Sequence, residues 1–135
     1  MSDYTVAKRE DAPDFMAQFP GFGEMRIFTG PAECEQVAFS WRVLPENTGG
    51  RGSYGHRHRT QEEVVFVISG TVTFKIDDDV FSVGPKGAVR IAPHAVRSLH
   101  NDGPGEAEIL LFSVKAPDGA KDEVEQVQDF WPDEG

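Results

Sequence analysis

Short runs of residues in this chain alternate between apolar and polar with a period of two, and clusters of Gly, Pro and Asp end each run. The clearest run begins at Glu35. Val37, Phe39, Trp41 and Val43 point one way, while Gln36, Ala38, Ser40 and Arg42 point the other, which is the pattern of a half-buried strand. Residues 45–55 form a loop carrying Gly49, Gly50, Gly52 and Gly55. Strands follow at 63–68 and 71–76, then a turn at Asp77, Asp78 and Asp79 and a return strand at 80–83. Further strands lie at 88–92, 95–101 and 106–115. Such spacing predicts an all-β barrel or sandwich.

Around this barrel, 35–115, lie an N-terminal arm with the first strand, 1–34, and an acidic C-terminal tail, 116–135, all within one domain. The arm is expected to make one helical turn near 14–18. The tail is expected to be helical across 122–128, with Phe130 and Trp131 packed back on the barrel or on a partner subunit.

A chain of 135 residues can bury an adequate core without a disulfide or a structural metal. Lys and Arg number 13 against 23 Asp and Glu, a net charge of −10. That balance argues against nucleic acid and against anionic membranes as partners. The longest apolar run, 64–68, is far short of a membrane span. Cys34 is the single cysteine and reads as a small hydrophobe. Residues 1–6 lack the basic start and apolar run of a secretion signal, so the expected location is cytoplasmic.

His56 and His58 are two residues apart, so on a strand they share a face with Cα atoms roughly 6.6 Å apart. Two imidazoles so placed can converge on one ion, although solvated loop histidines would give the same spacing. Glu63 has the opposite parity, so Arg59, Thr60 and Gln61 must bend if its carboxylate is to join them. Two histidines and a carboxylate with open positions suit Fe(II) and also serve Mn, Ni, Co or Zn. Gln61 has the parity of Glu63 and is a candidate for an oxygen contact to the ion or its ligand. Glu62 points away.

Gly50, His56, His58, Glu63 and Gly70 together reproduce the first cupin motif, G-x5-H-x-H-x(3,4)-E-x6-G. The chain therefore resembles small single-domain cupins from about residue 35 to residue 115. The resemblance implies a double-stranded β-helix, or jelly-roll barrel, with one divalent metal ion inside on His56, His58 and Glu63. It also implies a homodimer.

The second cupin motif, G-x5-P-x-G-x2-H-x3-N, is not met. Anchored on Gly87 and Pro93 it puts Ser98 at the ligand histidine; anchored on Asn101, the preferred register, it puts Arg97 there. His94 and His100 fall on the other strand face and read as outward or rim residues. A guanidinium has no lone pair to give a metal. Arg97 inside the barrel would need Glu63 or an anionic ligand as its partner, and Arg90 could extend such a basic patch. Two functions remain open. One is an enzyme, an oxygenase or isomerase acting on a small anionic organic molecule. The other is a non-catalytic module that binds or senses a small molecule or metal.

Overall fold

The structure is a computed structural model that describes residues 3–117 and 121–132. Eleven strands make two antiparallel sheets, and the described residues contain no α-helix. In chain order they are β1 (Glu24–Ile27), β2 (Val37–Leu44), β3 (Thr48–Gly49), β4 (Ser53–His58), β5 (Glu63–Ser69), β6 (Val72–Ile76), β7 (Asp79–Val83), β8 (Ala88–Ile91), β9 (Arg97–Asn101), β10 (Ala107–Val114) and β11 (Val124–Trp131). One sheet runs β1-β2-β10-β5-β8 and the other β11-β4-β9-β6-β7, with β3 added on β9. The alternation predicts an all-β barrel or sandwich, and the arrangement is the jelly-roll barrel that the resemblance implies.

The alternation has physical causes at both ends of each strand. Gly70 ends β5 at φ +76°, where a Cβ would also come within 2.6 Å of the Glu106 carbonyl oxygen. Asn101 closes β9: its side-chain oxygen accepts from the Gly103 amide, and its amide group donates to the Leu44 and Gly105 carbonyls.

Which row of each strand turns inward is less simple. Leu44, Val65, Val67, Val72, Phe74, Ile91, Ala107 and Ile109 fill the core between the sheets. Register places Ser40, Arg42 and Leu44 of β2 opposite Leu111, Ile109 and Ala107 of β10, so β2 turns its polar row inward. Its apolar row, from Val37 to Val43, lies on the outer face. There Phe39 stacks between Phe28 and Phe112, at 5.5 and 6.3 Å between ring centroids. The interior is thus a packed floor at one end and, at the other, a cavity whose walls mix polar and apolar side chains.

Two expectations for the chain ends are corrected. The tail is not helical at 122–128: β11 pairs with β4, Val124 opposite His58 and Gln126 opposite His56. An unpaired β4 edge offers backbone partners along its whole length, which a short helix would leave exposed. Residues 14–18 form turns, not a helical turn of their own, because Asp14 bridges to Arg26 and accepts from the Met16 and Met25 amides. Trp131 is buried against the barrel, beside His100.

Candidate metal and ligand site

β4 carries Tyr54, His56 and His58 at successive two-residue steps, and all three line a cavity of about 600 Å³ inside the barrel. Glu63, the first residue of β5, enters the same cavity from the other sheet. One nitrogen of each histidine and a Glu63 oxygen lie within 4.8 Å of one another. The imidazoles meet at 74° with centroids 5.2 Å apart, and His58 Nε2 is 3.9 Å from a Glu63 oxygen.

The bend required between His58 and Glu63 is present, and its cause is Glu123. This carboxylate, at the entry to β11, accepts from the backbone amides of Arg59, Thr60 and Gln61 at 3.0 Å each and from the Thr60 hydroxyl. Burial alone would raise its pKa; the Thr60 hydroxyl and the three amides outweigh burial and hold it at about 2. The same carboxylate lies 3.4 Å from His58 Nδ1. His58 therefore has one nitrogen facing Glu123 and the other facing Glu63.

These residues fit a divalent ion. Both His58 nitrogens are buried without a hydrogen-bond partner, a costly state that coordination on the Glu63 side would relieve. Burial first, then Arg97 and His58, lowers the His56 pKa to about 4, so its ring is neutral near pH 7 and can offer a lone pair. Glu123, 3.4 Å behind Nδ1, stands on the side where metal-bound histidines ordinarily find a supporting carboxylate.

Arg97 occupies the interior position opposite His56, and only 2% of it is exposed. Its Nε lies 3.7 Å from Glu63, and its two terminal nitrogens donate to the Pro93 and Ala92 carbonyls. Burial pushes its pKa down, while Glu63 and Asp77 oppose that shift. Gln61 lines the cavity, with its amide nitrogen donating to the Val114 carbonyl. Arg90 is not brought to the site. It lies on the outer face opposite Val64, largely exposed and bound to Glu62, because its parity on β8 is opposite to that of buried Ile91. His94 is exposed, and His100 lies apart from the metal cluster near Trp131.

Comparison with known proteins decides the family: the sequence model of the Cupin domain matches residues 46–113. The chain is a cupin. No curated protein matches it. A cupin protein from Bacteroides fragilis superposes with a TM-score of 0.68 at 21% identity, covering 87% of this chain and 89% of that one. A polyketide cyclase from Streptomyces resistomycificus gives 0.65 at 16% identity, covering 82% and 78%. A putative sugar phosphate isomerase from Acidithiobacillus ferrooxidans gives 0.60 at 19%, covering 82% and 67%. At these identities the likeness is one of fold.

Sequence reasoning missed Glu123, Tyr54 and Arg42 in this cupin. The residues around Glu123 carry no clean period, so nothing marked them as leading into a strand. Arg42 did leave a signal: it shares its parity with Leu44, whose side chain is fully buried.

Proposed function

We propose that this cupin holds one divalent metal ion on His56, His58 and Glu63 and acts on, or binds, a small anionic organic molecule in the cavity. The observation that carries the reading is the convergence of those three residues around His58, whose buried nitrogens lack hydrogen bonds. A divalent ion there, whether Fe, Mn, Ni, Co or Zn, supplies Lewis-acid polarisation of a ligand oxygen. His56 offers a neutral ring, Glu123 stands 3.4 Å behind His58 Nδ1, and Arg97 Nε faces Glu63 at 3.7 Å. Met25, Ile27, Leu99 and Leu111 line the cavity and give the bound molecule apolar contacts. Oxygenase or isomerase chemistry fits such a site.

A second reading, a non-catalytic binder or sensor, is favoured by Arg97 standing where the resemblance expects a fourth ligand. Metal analysis of protein purified without added metal, compared with the His56→Ala/His58→Ala double variant, tests the metal. Wild type is expected to carry close to one ion per chain and the variant almost none; equal contents would overturn the assignment. Oxygen uptake or isomerisation with iron or manganese bound supports the enzyme, and tight zinc without turnover supports the binder.

The single free Cys34 fits a reducing, cytoplasmic setting, and the described residues contain no helix long and apolar enough to cross a membrane. The outer face of the β1–β8 sheet presents Val37, Phe112 and Val114, each about half exposed or slightly less. A second copy of this chain is its proposed occupant. The net charge of −10 would oppose self-association, but two carboxylates on this face are paired within the chain, Glu62 with Arg90 and Glu24 with Arg26, and Glu108 accepts from the Trp41 indole. Like-charge repulsion between two copies is reduced there.

A further inference from the structure

Arg42 is a cation inside the barrel with no assigned partner. It lies on the inward row of β2, opposite Met25 of β1 and Ile109 of β10, and it lines the same cavity as His56 and Glu63. Its guanidinium makes no hydrogen bond or ion pair with any described residue, and its Nε is buried and unsatisfied. Burial pushes its pKa below the ordinary arginine value, with only Tyr54 acting against that. Arg97 differs, since Glu63 and two backbone carbonyls engage it. A buried guanidinium nitrogen left without an acceptor costs stability. Its retention is accounted for if the missing partner is a ligand.

We propose that Arg42 receives the carboxylate of the cavity's ligand, a small monocarboxylic acid with an apolar body. The planar guanidinium fork matches a carboxylate in two parallel hydrogen bonds. The same fork matches phosphate in shape, but a single guanidinium would leave one charge of a phosphate dianion uncompensated beside apolar walls. The walls next to Arg42, Met25 and Ile27 from β1 and Leu111 from β10, take an aliphatic or aromatic body. Arg42 stands on the sheet facing β4, whose Tyr54, His56 and His58 line the same cavity, so one molecule can span the acid end and the metal end. The acid is thereby bound by one end and presents the other to His56, His58 and Glu63. This inference rests on the barrel being the ligand site proposed above, but its test does not require metal.

Metal-free protein is titrated calorimetrically with benzoate, with neutral benzamide and with inorganic phosphate, using wild type, Arg42→Met and Arg42→Lys. Benzoate is expected to bind wild type at millimolar concentration or below, and benzamide about tenfold or more weakly. Arg42→Met should lose about tenfold or more in benzoate affinity, and Arg42→Lys should fall between. Without ligand, Arg42→Met should melt about 4 °C higher, because the unpaired charge is gone while the apolar stem is retained. Mn²⁺ titration of the same proteins should be unchanged within about twofold. The proposal is overturned if Arg42→Met binds benzoate as wild type does or melts lower. It is overturned equally if wild type prefers phosphate or binds no benzoate at millimolar concentration. Benzoate binding that depends on Arg42, in a protein that takes up no Mn²⁺, would sustain this inference while removing the metal.

Discussion

Glu123 ties a backbone bend to a ligand imidazole with a single carboxylate, so its loss should be felt in two independent measurements. Glu123→Ala leaves three amides and the Thr60 hydroxyl without their acceptor, which should cost about 2–3 kcal/mol in denaturant unfolding. The same variant should bind Mn²⁺ at least about tenfold more weakly, as His58 loses its support. Glu123→Gln keeps the shape and an acceptor oxygen and should fall between the two. Individual residues were unevenly legible. His56, His58 and Glu63 could be read because their spacing is dictated by one strand and one bend. Glu123 could not, because its partners are sixty-odd residues away and its role is set by backbone amides, which leave no mark on side-chain pattern. Arg97 is marked by the second motif and Arg90 only as an extension of its basic patch. Each on its own strand, Arg90 stands outside with Glu62 and Arg97 inside with Glu63.

At the level of elements, the strands at the sheet edges are held by polar ties. β1 is fastened by Glu24, whose carboxylate takes two hydrogen bonds from Arg9 at 2.8 Å and one from Arg26. The Arg9 bond, against burial and together with Arg26, lowers the Glu24 pKa to about 2. A depressed carboxyl pKa contributes stability above its ordinary value near 4.5 and loses it as pH falls through 2. Glu24→Gln should therefore be less stable than wild type at pH 7, by about 1 kcal/mol at most because Arg9 is largely exposed. Denaturant midpoints measured down the pH scale should converge as pH approaches 2. At an edge of the other sheet, β11 packs Phe130 against Gly55, where a Cβ would stand 2.4 Å from the ring. Gly55→Val should detach β11 from β4, costing about 2 kcal/mol and exposing β4 amides to hydrogen exchange. The inner strands were legible because burial imposes period two on them. β11 was not, since five of its eight residues are exposed and their polarity follows water, not the sheet.

For the whole molecule, the outer face that carries Val37, Phe112 and Val114 sets the expected assembly. The wild-type protein should sediment at twice its sequence mass, and Phe112→Asp should shift it toward the monomer while metal content stays the same. A monomeric wild type would remove the second copy from that face. The inverted strand β2 has a further consequence. The core around Leu44, Val67, Val72 and Ile109 is fully buried, whereas Ser40, Arg42 and Tyr54 line the cavity in which a ligand is proposed. Changes at those three positions can alter what the barrel accepts with little effect on whether it folds. Divergence among descendants of such a chain should then run along one row of β2 and the start of β4, leaving the floor untouched.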